Sequence, residues 1–237
     1  MAATSKAPDG RRARWAQHNR ARRQVILDAA VDVIGAVTPG EEVHVQQIAD
    51  RAGLSRTVLY RHFADRADLD RAVQHDIVDR LRGELIPALS LEGTPTAIIR
   101  RVVAAYVGWA VDNPSLHRFV EREVGGGEGR AVLDEAVEQI AEQIEGLIVV
   151  VVESLRLELD DASRDGLDPL VFGLVGTALN AVRRWLARPT LLPPHEEFVD
   201  LLSEAVWHAI AGLAGARGLA LDPDVPVERL FESPTPR

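Results

Sequence analysis

The feature that most constrains this chain is a four-residue run, Ala52-Gly53-Leu54-Ser55, set between two apolar stripes of helical spacing. Before it, Val45, Ile48, Ala49 and Ala52 fall at i, i+3, i+4 and i+7, one face of a two-turn helix that Gly53 stops. After it, Ser55 offers a hydroxyl as an N-cap, and Leu59 and Phe63, four apart, mark the buried side of a second helix over residues 56–62. Two short helices joined through a glycine are the plan of a helix-turn-helix, in which the first helix braces and the second enters the major groove. With Leu59 and Phe63 inward, Arg56, Thr57, Tyr60 and Arg61 point outward, toward base edges and phosphates, and Gln46 and Gln47 at the start of the brace reach phosphate.

The rest of the chain reads as helix after helix. Val25, Ile26, Ala29, Ala30, Val33 and Val37 predict a first helix from Arg20 that Pro39-Gly40 breaks. Leu69, Val73, Ile77, Leu81 and Leu85 step by four along a long helix that Asp65 caps and Pro87 ends. Thr94-Pro95 opens a helix through Tyr106 and Trp109, and Asn113-Pro114 separates it from the next. Residues 129–159 predict one long helix: "LIVVVV" at 147–152 has strand-like composition, but the helical period runs into and out of it. Asp168-Pro169 opens another helix, and a last one over residues 197–216 is apolar on more than one face, so burial on two sides is expected. The sum is an all-α chain of about nine helices with no strand.

Charge locates the function. The whole chain carries −9, but residues 1–64 hold Lys6, nine arginines and six carboxylates, a net of +4, leaving −13 for the remainder. An anionic partner meets the local surface and not the average. The chain has no cysteine, which excludes disulfides, thiolate nucleophiles and cysteine-ligated zinc and makes a reducing cytoplasm the simplest location. No apolar core follows the N-terminal basic residues, so no secretory signal is read there, and the longest aliphatic run, 147–152, is far short of the ~20 residues of a spanning helix; no membrane association is expected. "GGGEGR" at 125–130 lacks the Gly-Lys-Ser/Thr of a phosphate loop, His195 does not begin a His-Glu-x-x-His pair, and the seven histidines have no ligand spacing. An enzyme, a metal site and a cofactor are therefore not expected.

The order "IADRAGLSRTVLYRHFADRADL", with Ile48-Ala49, Ala52-Gly53-Leu54-Ser55, Leu59-Tyr60-Arg61-His62-Phe63, then Asp65, Arg66 and Leu69, closely resembles the N-terminal signature of the TetR family of transcriptional regulators. The resemblance covers about residues 20–70 by motif and the rest by helix count and placement. It implies an all-α homodimer with an N-terminal three-helix DNA-binding domain and a C-terminal domain for ligand binding and dimerisation. Residues 1–19 mix Pro, Gly, Ser and Arg with no period and read as a flexible basic arm; after them would come the helix-turn-helix domain (20–65), the ligand and dimer domain (66–218) and a Pro-rich C-terminal tail (219–237). Carried over by position, Tyr60 and His62 would contact phosphates, Arg56 and Thr57 would face bases, and Arg66 would replace the family's usual lysine near the backbone. His44 stands where a Thr or Ser often caps the brace, and Val58 stands where a Thr is common. Arg20, Arg22 and Arg23, adjoining the first helix, are expected on DNA, either along the backbone or in the minor groove as an arm.

In the C-terminal part the resemblance places Tyr106, Trp109, Phe119, Phe172, Asn180 and Trp185 along the family's pocket, with Asn180 as the leading polar candidate. Gly173, Gly176 and Thr177 would let a second helix approach closely, and Phe198, Leu202 and Ala205 would share that dimer contact. The expectation is a ligand-responsive repressor on a near-palindromic operator of double-stranded DNA, released by a largely apolar effector (acyl, lipid-like or aromatic) that shifts the helix after Arg66. Two rival classes are a helical dimeric protein-binding module without DNA binding, and a helical enzyme that uses the pocket.

Overall fold

The computed structural model describes residues 10–122, 128–154 and 161–230. Among them run ten α-helices and no strand: α1 Gly10–Ala36, α2 Val45–Arg51, α3 Arg56–Leu59, α4 Arg66–Ala88, α5 Pro95–Asp112, α6 Pro114–Val120, α7 Glu128–Ser154, α8 Asp161–Asp165, α9 Leu167–Leu186 and α10 His195–Gly215. The addition to the expected set is α8, a five-residue turn. The chain divides into two compact units, residues 1–77 with 115–132, and residues 78–114 with 133–237.

In the first unit, Ile26, Ala30 and Ile34 of α1, Ile48 and Ala49 of α2, Leu59, Phe63, and Leu69, Val73 and Ile77 of α4 form the buried core. The unit reaches beyond residue 65 and takes in α6, because Leu116, Phe119 and Val120 are buried in it and Ser115 Oγ donates to the Val37 carbonyl at 2.6 Å. Of residues 1–19, expected as a flexible arm, 1–9 lie outside the described residues and 10–19 are helical. The prolines and glycines that suggested a loose segment all lie at or before Gly10, and "RRARWAQHNRARRQ" after it is built mainly from Ala, Arg and Gln, strong helix formers.

In the second unit α5 packs on α10 and α9. Thr94 caps α5, accepting from the Ala97 N–H, and Pro95 fills the first turn. Arg100 of α5 reaches α10 twice, to Asp200 at 2.7 Å and Glu196 at 3.0 Å. Val182 of α9 and Val199 of α10 are fully buried, and the Trp185 and Phe198 rings stack 4.5 Å apart. Helix α7 carries residues 147–152 as helix, as its flanking period predicts. Helix α10 buries one face within the single chain. Val199, Leu202 and Ser203 are buried, but Leu201 is 52% exposed, so one face packs and the other is open. By length and composition alone α10 could cross a membrane, but its α5 contacts make it a packed helix of this unit.

The C-terminal tail docks through residue 230. Val227 is buried and its N–H donates to the Gly93 carbonyl at 2.9 Å, while Glu228 Oε1 accepts from the Gly93 N–H at 2.8 Å. The bond within its own residue, then that from Gly93, holds the Glu228 carboxyl below its ordinary pKa. Gly93 sits at φ +96, a backbone conformation few other residues tolerate.

Candidate nucleic-acid interface

The turn between α2 and α3 closes in a full Schellman motif. The Leu54 N–H returns to the Ala49 carbonyl at 2.9 Å and the Gly53 N–H to Asp50 at 3.1 Å, with Gly53 at φ +66. Ser55 then takes extended N-cap geometry and its Oγ accepts from the Val58 N–H at 3.4 Å. Helix α3 is shorter than the expected span to residue 62. After Leu59 the backbone tightens into i to i+3 bonds, Arg61 to Val58 and His62 to Leu59, because Asp65 caps α4 immediately beyond and accepts from the Asp68 N–H at 2.7 Å.

This short helix has two distinct sides. Leu59 and Phe63 are buried, whereas Arg56, Thr57 and Arg61 are exposed and Tyr60 and His62 half-buried. The Arg56 guanidinium lies 5.6 Å from the Tyr60 ring centre, which orders a long cation on the open face. At the brace, the His44 N–H donates to Gln47 Oε1 at 2.6 Å, so the helix start has a hydrogen bond that needs no Thr or Ser hydroxyl. Exposed Gln46 donates to Asp50 at 2.7 Å. Both glutamines are exposed, and each makes a bond within the brace.

Two of the expected DNA-contacting arginines have partners inside the unit. Arg23 Nη1 donates to the His62 carbonyl at 2.9 Å with its guanidinium 4.3 Å over the Phe63 ring, which ties α1 to the end of the recognition segment. Arg66 Nε bonds Asp70 at 2.8 Å and its Nη1 bonds the Val43 carbonyl at 2.8 Å, fixing the approach to α2. Arg20 and Arg22 are exposed.

Gln74, absent from the expected site, is fully buried. Its Nε2 donates to the carbonyls of Phe119 at 3.0 Å and Arg122 at 2.9 Å, with Val120 at 3.4 Å, closing the C-terminal end of α6. The signal was present in the sequence, as one amide on the apolar stripe beside Val73, Ile77 and Val78. Gln74→Leu leaves those carbonyls without their donor, and a urea melt is expected to show a loss of about 1–3 kcal/mol.

The expected pocket residues lie in both units. Phe119 belongs to the first unit, while Tyr106, Trp109 and Trp185 are buried in the second. Trp185 Nε1 donates to the Pro193 carbonyl at 3.0 Å. Phe172, 39% exposed, and Asn180 lie on the open side of α9, and Asn180 bonds the Gly176 carbonyl and Arg183 of its own helix. The expected dimer set also splits. Gly173, Thr177 and Ala205 are exposed and Gly176 half-buried, but Leu202 is buried and Phe198 is committed to Trp185. The large apolar side chain that α10 exposes is Leu201, one position away, because stacking on Trp185 sets the phase of the helix.

Comparison with known proteins agrees with this geometry. Residues 26–73 match the model for bacterial regulatory proteins of the tetR family. Over 231 residues the chain is 29% identical to an uncharacterised HTH-type transcriptional regulator of Mycobacterium tuberculosis, covering 96% of this chain and 91% of the relative. Its fold resembles that of a tetR-family transcriptional regulator from Streptomyces coelicolor, with a TM-score of 0.64 at 21% identity over 90% of this chain and 87% of that one. It also resembles the structure of RolR in complex with resorcinol, with a TM-score of 0.59 at 16% identity over 94% of this chain and 98% of that one.

Proposed function

We propose that the chain, which over residues 26–73 matches the model for bacterial regulatory proteins of the tetR family, is a DNA-binding transcriptional regulator that acts as a homodimeric repressor whose grip on a near-palindromic operator is released by a small, largely apolar effector. The observation that carries the DNA half is α3: a capped helix with a buried underside and Arg56, Thr57 and Arg61 exposed, at the basic end of an acidic chain. Arg56 and Thr57 take base edges, and Tyr60 and His62 take phosphates. Two copies place their α3 helices in successive major grooves, about 34–36 Å apart in the simplest arrangement. The protein works in the cytoplasm, where its operator is.

Dimerisation is assigned to the open faces of α9 and α10, where Leu170, Phe172 and Leu201 remain exposed beside Gly173, Thr177 and Ala205. Leu201→Glu would place a carboxylate in the buried contact without disturbing the core of its own chain. The expected result is a monomer at micromolar concentration by sedimentation, with helicity retained; an unchanged dimer would move the interface elsewhere.

The effector half rests on the aromatic interior of the second unit, Tyr106, Trp109 and Trp185, and on the resorcinol-bound relative of the same fold. Helix α4 begins in the first unit and ends in the second, so a ligand that binds one position of α4 better than another alters the spacing of the α3 pair. The test is a gel shift on DNA from upstream of the chain's own coding region, with tryptophan fluorescence followed as phenols and fatty acids are titrated. Release of DNA at the concentration that changes the fluorescence supports the repressor; a ligand that tightens DNA binding reverses its sign.

A further inference from the structure

Helix α1 is longer than its packing requires. Among its residues whose burial is described, the first largely buried one is Ile26, and the helix before it runs about 20 Å from Gly10 to Arg22 at ~1.5 Å per residue. The base of this overhang is fastened: Arg23 bonds the His62 carbonyl, and Gln24 Nε2 bonds Asp76 at 2.8 Å. Residues 10–24 contain six arginines and no carboxylate. Trp15, Asn19 and Arg22 continue, at steps of three and four, the stripe that Ile26, Ala30 and Ile34 bury further along. Trp15 is 71% exposed on that stripe.

We infer that this overhang is a second DNA-binding element, a preformed basic helix that lies along the phosphate backbone beside the half-site read by α3. The inference rests on the DNA-binding reading above and adds to it a site, a geometry and a thermodynamic role. A helix with side chains is about 10–12 Å wide, whereas the minor groove of B-DNA is about 6 Å wide, so the overhang cannot thread the minor groove as an extended basic arm does. It rides on phosphates instead. Its arginines supply affinity that depends on salt and not on sequence, and the Trp15 indole N–H is a donor for a phosphate oxygen. The Arg23 bond to His62 sets where the overhang leaves the unit, next to the end of the recognition segment. An anionic membrane fits less well: around Trp15 the other apolar residues of 10–24 are three alanines, too small to make the apolar face of an interfacial helix.

The test uses the full-length protein and a duplex that it recovers from a random-sequence pool. Three proteins are compared: wild type, Arg11→Gln/Arg12→Gln/Arg14→Gln, and Gln17→Pro, which keeps every charge but breaks the overhang helix. Hydroxyl-radical footprinting of the wild type is expected to protect about six base pairs of backbone outside each α3 contact, the length a 20 Å helix covers at ~3.4 Å per pair. Both variants lose that flanking protection, keep the same preferred sequence, and bind with a salt slope shallower by about 0.9 for each phosphate that the overhang no longer neutralises. Wild-type protection and slope in both variants would overturn the inference. Loss in the triple variant with none in Gln17→Pro would also overturn it, by showing an unstructured charged tail. Triple-variant-sensitive binding to phosphatidylglycerol vesicles, with no flanking protection on DNA, would assign the overhang to a membrane. If the wild type recovers no duplex at all, the DNA-binding reading itself fails.

Discussion

Replacing Arg56 and Tyr60 together with alanine is expected to reduce affinity for a selected duplex by about 1–3 kcal/mol per half-site, roughly ten- to hundredfold, without unfolding the protein. Arg56 is exposed, where substitutions usually change stability by no more than about 0.5 kcal/mol, Tyr60 is half-buried, and Leu59 and Phe63 keep the underside packed. The two residues should separate when changed singly. With Arg56 on a base edge, as proposed, Arg56→Ala is expected to relax preference at one position of each half-site. Tyr60→Ala removes the ring that orders Arg56 and, with Tyr60 on a phosphate as proposed, is expected to weaken binding across all sequences and make the salt slope shallower. Tyr60→Phe retains the ring and loses only the hydroxyl, so its effect should be intermediate. Fluorescence anisotropy on the selected duplex and on single-base variants resolves all three.

Phe63→Ala is expected to have the largest effect on stability. The ring is 1% exposed, among the largest fully buried side chains, and the Arg23 guanidinium lies 4.3 Å over it. Removing it costs the transfer of the aromatic surface and leaves a cavity, together about 3–5 kcal/mol, a large share of the roughly 5–15 kcal/mol that holds a domain folded. It also strips Arg23 of its stacking partner, so the tie between α1 and the His62 carbonyl should loosen. Urea unfolding followed by far-UV circular dichroism should give a lower midpoint for the variant. DNA binding should fall even where the variant remains folded. A stability within about 0.5 kcal/mol of the wild type would mean that Phe63 does not organise the unit.

These two effects come from the part of the chain most legible in its sequence. The α2–α3 turn is local: Gly53, the Ser55 hydroxyl and the spacing of Leu59 and Phe63 act within a few residues of one another, so composition and period determine the result. "LIVVVV" was readable for a related reason, since the helical period on both sides outweighs the β propensity of its valines. The overhang of α1 was obscured because a run of arginines signals charge before it signals helix propensity. Gln74 acts on carbonyls more than forty residues away, and no local pattern states where a buried amide will find its acceptors. The phase of α10 was out of reach for a further reason. A helix apolar on more than one face can turn either side inward, and the stacking of Phe198 on Trp185 decides it, turning Leu202 in and Leu201 out. Asn180 likewise looked like a polar group in an apolar wall, but α9 turns it to the open side.

A small basic surface on α3 is proposed to bind duplex DNA, within a chain whose net charge is −9. The most direct test is the wild-type dissociation constant on the selected duplex and on a scrambled one, from about 50 to 200 mM salt, where six to ten bound phosphates correspond to a roughly 10³–10⁵-fold fall in affinity. The expected result is a steep linear fall of log affinity with log salt on both duplexes, and tighter binding to the selected one at every concentration. Equal, salt-insensitive affinities for the two duplexes, or no binding at the lowest salt, would contradict it.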